Sequence, residues 1–347
     1  MKKNFTLNFA CINLVVCLLL LNSCSKNSIN PTATFKGDVY IAGLVNPAAG
    51  PLAAYWKNNK MKQLSNELSQ AFAIAVSDTN VYIAGYMNST GTGVYWKNDT
   101  RTALPYLNAL EAIPYSITVS GSDVFIGGNL IYVVDGASPT TITKAAYWKN
   151  DKVMQLSDSQ SNVTAIAVLG SDVYVVGNIA HDSSNVTVFK PALWKNGILK
   201  ELSTANGGTT AIAFSGSDVY IAGSVIVNQQ SRAVYWKNGV MNFLADGFDP
   251  NGIAVSGSNV YVSGSSSING NACYWANGAI AMLAPDKADA SSHSSGIAVH
   301  GSDVYVSGNI IDNSGQNAKV VYWKNGVMET MPDDVSDYAI SYAMTIH

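Results

Sequence analysis

Seven copies of one short phrase limit what this chain can fold into. Every tryptophan sits in the same motif: Tyr55-Trp56-Lys57-Asn58, then Tyr95-Trp96, Tyr147-Trp148, Leu193-Trp194, Tyr235-Trp236, Tyr274-Trp275 and Tyr322-Trp323. A second motif of the form Asp-Val-Tyr-x-x-Gly closes on Gly43, Gly85, Gly128, Gly177, Gly223, Gly264 and Gly308. From Trp56 to Trp323 there are six steps, with a mean spacing of 44.5 residues. A fixed period of this length means one supersecondary unit repeated, each copy burying its apolar faces against its neighbours.

One copy reads as four short strands. Gly252 to Val255 is strand one, Ser256-Gly257-Ser258-Asn259 a tight turn, and Val260 to Gly264 strand two. A variable connection leads to strand three at Ala272 to Trp275. The turn Ala276-Asn277-Gly278 follows, and strand four is Ala279 to Leu283. Asn-Gly between apolar runs is a strong hairpin signal, because tight hairpin turns need positive φ. Charged residues make up 12% of the chain, half the share of an average domain at about 25%. The abundance of Val, Ile, Tyr and Thr suits half-buried pleated surfaces. Four antiparallel strands in each of seven repeats predict an all-β, seven-bladed β-propeller.

The ends of the repeat region bear on closure. The first repeat begins abruptly at Gly37-Asp38-Val39-Tyr40, with no strand one before it. The chain finishes on Tyr338 to Ile346, which reads as a strand one with nothing after it. Each end supplies what the other lacks, so the C-terminal strand is expected to complete the N-terminal blade. Such closure leaves no open sheet edge at the seam. A linear solenoid would instead carry caps.

The first residues lie outside this pattern. Lys2 and Lys3 precede an apolar run from Phe9 to Leu21, followed by Leu21-Asn22-Ser23-Cys24. This segment resembles the lipobox of bacterial lipoproteins, which implies a signal peptide over residues 1–23 and lipidation of Cys24. A short tether would follow over residues 24–36, with a single propeller over residues 37–347. The resemblance, with Ser25 after the cysteine, implies an outer-membrane lipoprotein of the cell envelope. An ordinary secretory signal or an uncleaved anchor is the alternative, although the run is short for a span of about 20 residues. With Cys11 and Cys17 removed and Cys24 lipidated, only Cys273 remains, in a slot held elsewhere by Ala or Val. It reads as a small buried hydrophobe rather than a nucleophile. The chain without its signal has 18 basic and 23 acidic residues, a net charge of −5. There is no basic run, so nucleic acid is not an expected partner.

The phrases Gly252-Ile253-Ala254-Val255 through Val260-Tyr261-Val262-Ser263-Gly264 resemble the blade hairpins of NHL and YVTN-type bacterial propellers. The Tyr-Trp-Lys-Asn-Gly element resembles part of the extracellular HAF-type repeats. These resemblances imply a propeller in a cell-surface setting and bring no common catalytic residues.

The repeated residues read as structural. Adjacent Tyr and Trp point to opposite faces of a strand, so both can be buried between blades. A glycan would then use other aromatics such as Tyr86, Tyr106 or Tyr132. The recurring Asp38, Asn80, Asp123, Asp172, Asp218, Asn259 and Asp303 are expected to bond their own turns, since single carboxylates on separate blades give no calcium cluster. The recurring lysines, from Lys57 to Lys324, read as a solvated ring. His181, His293, His300 and His347 show no metal-ligand spacing, and no phosphate loop or nucleophile motif occurs. No metal or cofactor is expected, and no catalytic residue is assigned.

Divergence among the copies concentrates at one end. Separations from the closing glycine to the next tryptophan are 13, 11, 20, 17, 13, 11 and 15 residues. A uniform repeat position is explained by packing, and a divergent one is free to serve a ligand. The two longest connections, Asn129 to Lys144 and Asn178 to Pro191, are expected to be loops on consecutive blades. Tyr132, Asp135, His181, Asp182 and Lys190 are the candidate ligand residues there, with Tyr115, Thr164, Thr210, Asn251 and Ser295 ringing the nearby channel mouth. The expected function is non-catalytic binding of a protein or glycan through this face. The alternatives are a scaffold subunit of an envelope complex and a channel-mouth lyase or glycosidase.

Overall fold

The computed structural model describes residues 37–134, 140–183, 186–267, 270–283, 285, 290–333 and 338–347. They form seven four-stranded antiparallel sheets, the blades of a β-propeller. We number the blades 1 to 7 in chain order and the strands of each from one, at the channel, to four, at the rim.

Blade 1 is completed by the last strand of the chain. Ala339–Ile346 is its inner strand and pairs antiparallel with Val39–Val45. Asp38 and His347 exchange backbone hydrogen bonds of 2.8 and 3.1 Å, so the propeller starts and finishes at one point on the tight-turn face. The inner strands touch in succession around the full circle, including blade 7 to blade 1 and blade 1 to blade 2.

The core lies between blades rather than in one central mass. All seven Trp side chains are at most 1% exposed. Each packs into an apolar cluster with the residue preceding the tryptophan of the blade before it: Tyr95 with Trp148, Tyr147 with Trp194, Tyr322 with Trp56. The indole N–H of Trp56 donates to the Pro332 carbonyl in the preceding connection, that of Trp148 to Pro105 and that of Trp275 to Ala245, at 2.7–2.8 Å. Before blades 4 and 5 the connections carry Ser157 and Ser203, whose hydroxyls accept from Ser159 N and Ala205 N in their own turns. There Trp194 and Trp236 keep buried Nε1 atoms without a partner.

The tight-turn face repeats one device seven times. Asn58, Asn98, Asn150, Asn196, Asn238, Asn277 and Asn325 hold φ between 50 and 55° in the strand three-to-four turns. Each Oδ1 accepts a backbone N–H at the start of strand two, such as Val219 N to Asn238 at 2.9 Å. Each Nδ2 donates to the recurring Asx side chain, as Asn238 does to Asp218 at 2.7 Å. The Asx residues therefore bond the neighbouring hairpin rather than their own turn. Where that residue is Asp, the motif lysine pairs with it, in blades 1, 3, 4, 5 and 7 at 2.7–2.9 Å. The same lysines lie over Tyr or Phe rings at 5.1–5.3 Å. The lysine ring is thus ordered on the surface, not merely solvated.

Cys273 is fully buried, and burial pushes its thiol up to about 12. That is the environment of an inert core side chain.

Candidate functional site

A β-bulge near the start of every inner strand builds the channel mouth. Register shifts fall between Ala71 and Ala73, Pro114 and Ser116, Val163 and Ala165, Thr209 and Ala211, Phe248 and Gly252, and Ser294 and Gly296. In blade 1 the shift falls on Tyr342. An extra residue in one strand cannot pair, so the strand bends and the unpaired side chain is re-aimed. Here the seven re-aimed residues are Tyr342, Phe72, Tyr115, Thr164, Thr210, Asn251 and Ser295, in blade order. In blade 6 three residues, Asp249 to Asn251, are unpaired, and Asn251 takes the equivalent place.

The closing glycines follow from these bulges. A Cβ on Gly43, Gly85, Gly128, Gly177, Gly223, Gly264 or Gly308 would run into a carbonyl of the adjacent inner strand, closer than real Cβ atoms approach. The backbone crowding that presents the channel residue also fixes glycine opposite it.

Two cavities share the seven bulge residues and no other lining. Above them lies a bowl of about 610 Å³, lined also by Asn129, Asn162, Ser294, Asn309 and Ser341. Below runs a channel of about 360 Å³, its lining including one isoleucine from the inner strand of each of blades 2 to 7 and Met344 from blade 1. The bulge residues therefore form the collar between bowl and channel.

The collar is chemically divided. Tyr342, Phe72 and Tyr115, on blades 1 to 3, form one arc with ring centroids 5.4 and 5.6 Å apart. All three are partly exposed, Tyr115 at 39%. Blades 4 to 7 contribute only short polar side chains. Thr164 Oγ1 meets Thr209 Oγ1 at 3.1 Å, and Ser295 Oγ meets Ser307 and Ser341 hydroxyls at 2.9 and 2.8 Å. Asn251 Nδ2 donates to Ser294 O at 2.9 Å. Thr210 Oγ1 and Asn162 Oδ1 are buried without a hydrogen-bond partner among the described residues.

Among the described residues, the bowl lining carries no charged side chain. Burial raises the phenol pKa of Tyr115 and Tyr342, with Glu111 and Tyr338 adding to it respectively, so both rings stay neutral at physiological pH. Tyr86 is pushed up to about 12 by burial and its hydrogen bond to Glu111. Among the described residues there is no group of three His, Cys, Asp or Glu side chains able to hold a metal.

Five of the sequence candidates, Tyr115, Thr164, Thr210, Asn251 and Ser295, come together in this collar. The candidates from the two long connections do not. The described residues of those connections extend strands two and three instead of forming loops: Asp123–Val134 pairs with Thr140–Lys149 out to Val134 and Thr140. In blade 4, Asp172–Ser183 pairs with Val186–Lys195 from Tyr174 out to Ser183. Added residues continued the strand ladder, which satisfies their backbone groups as a loop would not. Their side chains are engaged locally. Tyr132 donates to Gln155 Oε1 at 3.2 Å, under Lys144. Asp182 accepts from Thr187 Oγ1 at 2.9 Å. His181 Nε2 lies 2.8 Å from Glu201 Oε1, within ion-pair reach but without hydrogen-bond alignment. Lys190 is 3.8 Å from Glu201 Oε2. Asp135 lies outside the described residues.

Sequence reading missed Phe72 and Tyr342. Each stands immediately before the phrase that opens the regular part of strand one, Ala73-Ile74-Ala75-Val76 and Ala343-Met344-Thr345-Ile346. Aligning the repeats on that phrase places both beside the other five.

No protein-family model and no curated protein matches the chain. Among solved structures it is similar to a Mycobacterium tuberculosis puromycin-hydrolyzing peptidase, at 10% identity and a TM-score of 0.59. The match covers 87% of this chain and 52% of that one. It is also similar to the Pyrococcus horikoshii acylaminoacyl peptidase, at 12% identity and a TM-score of 0.52, over 86% of this chain and 51% of that one. The chain spans about half the length of each. At such identity the likeness shows the fold alone.

Proposed function

We propose that this propeller is a non-catalytic binding module of the bacterial cell envelope, anchored by a lipid on Cys24, that takes a neutral glycan end in the bowl of its channel mouth. The observation that carries this is the divided collar. Three adjacent aromatic rings offer apolar faces to the C–H surface of a sugar. The opposite arc of hydroxyls and amides, with Thr210 and Asn162 holding unused hydrogen-bonding capacity, suits its hydroxyl groups. A concave, mostly preformed site with a few convergent polar groups is the usual form of a small-ligand pocket, and the bowl's volume of about 610 Å³ falls in that range. The uncharged lining favours neutral sugars over uronic acids or phosphorylated ones.

The test uses residues 25–347 without lipid, applied to a panel of neutral and acidic glycans. Specific capture of a neutral glycan supports the reading. Capture of acidic glycans only, or of none, contradicts it.

A second reading, a scaffold subunit of an envelope complex, rests on the protruding hairpins of blades 3 and 4. Val133, Val134, Val186 and Phe189 are exposed on them, and apolar side chains in water favour a protein partner. Stoichiometric partners recovered after mild cross-linking would support it. The lyase or glycosidase alternative calls for acid and base groups such as paired carboxylates, and no carboxylate is among the described residues lining the bowl.

A further inference from the structure

Blade 4 breaks the repeat at one core position. Where six copies place Tyr55, Tyr95, Tyr147, Tyr235, Tyr274 and Tyr322, the seventh places Leu193. In the six, the tyrosine packs against the cluster holding the next blade's tryptophan. Between blades 4 and 5 the corresponding cluster has Leu193 beside Leu202, Val219 and Ile221, with Trp236 behind them. Leucine lacks the ring and hydroxyl that extend a tyrosine outward along the blade surface. A cavity of about 580 Å³ opens at this interface, lined by those same Leu193, Leu202, Val219 and Ile221.

The rim of the cavity is polar and, among the described residues, carries one cation without an ion pair. Asp172 is engaged by Lys195 and Asn196, both at 2.7 Å. Lys200, directly across the strand pair from Leu193, makes no ion pair among the described residues. Its ammonium reaches across the crevice, within 3.1 Å of where a Cβ on Gly239 of blade 5 would stand. An apolar slot with an unpaired ammonium at its mouth selects a flat apolar body bearing an anion. The six tyrosines at equivalent positions indicate that a six-membered aromatic ring matches the gap between blades.

We infer that the crevice between blades 4 and 5 binds a small aromatic carboxylate, its ring occupying the space a tyrosine fills elsewhere and its carboxylate meeting Lys200. This site is separate from the channel mouth and does not depend on the glycan reading.

The probe is 4-hydroxyphenylacetate, titrated by ligand-observed NMR against the unlipidated protein, with p-cresol as its uncharged counterpart. The acid is expected to bind more tightly than p-cresol. Leu193→Tyr restores the repeat residue, so it should fold and should weaken binding of both probes by about ten-fold or more, since a filled cavity excludes the ring. Lys200→Met should bring the acid to the affinity of p-cresol while leaving p-cresol unchanged, a readout that does not depend on Leu193→Tyr. The triple variant Phe72→Ala, Tyr115→Ala, Tyr342→Ala at the channel mouth should bind both probes as the unaltered protein does. Absence of binding, equal binding of acid and p-cresol, or unaltered binding by Leu193→Tyr would each overturn the assignment. So would loss of acid binding in the mouth variant alone.

Discussion

The two ends of each blade obey different rules. At the tight-turn end, asparagine, its Asx partner and the hairpin it joins recur seven times with nearly the same geometry. At the mouth end, the backbone bulge also recurs in every blade, yet the residue on it changes from Phe and Tyr to Thr, Asn and Ser. Where side chain and backbone repeat together, blade packing accounts for both. Where the backbone repeats and the side chain does not, the fold needs the bulge but leaves its side chain unconstrained. That places a candidate site on the collar rather than on the tryptophan ring, even though the tryptophans dominate the sequence.

The sharpest way to break this comparison is to attack the packed set. Trp148→Ala removes a fully buried indole and its bond to Pro105, and should cost about 3–5 kcal/mol, read as a large fall in denaturant midpoint. A loss under about 1 kcal/mol would mean that the tryptophans are not the inter-blade core. Next, Gly177→Ala forces a methyl into the Asn162 carbonyl. Overpacking of this kind costs about 1–3 kcal/mol, and the damage should also reach the mouth, because the bulge at Thr164 must shift. A variant as stable as the parent would detach the glycine motif from the bulge.

At the tight-turn end, Asn238→Ala gives up the bonds to Val219 and Asp218 and leaves alanine at positive φ. The expected loss is about 1–2 kcal/mol, with ligand binding at the far end unchanged. The smallest effect concerns the lysine–aspartate ring. Lys149, Lys195 and Lys324 hold Asp123, Asp172 and Asp303 below the usual carboxylate value, while Asn58 and Asn238 are the leading cause for Asp38 and Asp218. A depressed folded pKa contributes stability above the unfolded value of about 3.9 that is lost as pH falls through the folded value. These groups are exposed, so each contributes little. The melting temperature should therefore stay flat from pH 8 to 5 and decline only below about pH 4. A decline already at pH 6 would contradict the assignment of the acid sensitivity to these carboxylates.

Much of the fold was legible because propeller packing writes itself into every copy. The Trp motif, the Asn turn and the closing Gly each appear seven times, and the split first blade was readable from what each end lacked. The collar was legible only in part. Phe72 and Tyr342 look like ordinary strand residues, and a bulge leaves no composition of its own. It leaves a glycine on the facing strand, which reads only as the end of strand two until the crowding at Ile340, Gln70 or Asn162 is seen. The long connections of blades 3 and 4 were misread for a related reason. Length signals divergence but does not say whether added residues pair, and Ile131, Tyr132 and Val133 continue the ladder with Thr143, Ile142 and Thr141.

The most direct measurement is the dissociation constant of the best neutral glycan from the panel for the triple variant Phe72→Ala, Tyr115→Ala, Tyr342→Ala, with its melting temperature taken alongside. Removal of the aromatic arc should weaken binding by about ten-fold or more, the equivalent of about 1.4 kcal/mol, while the seven Trp-packed interfaces keep the propeller folded. Unchanged affinity in a folded variant would contradict the account and move the ligand away from the collar.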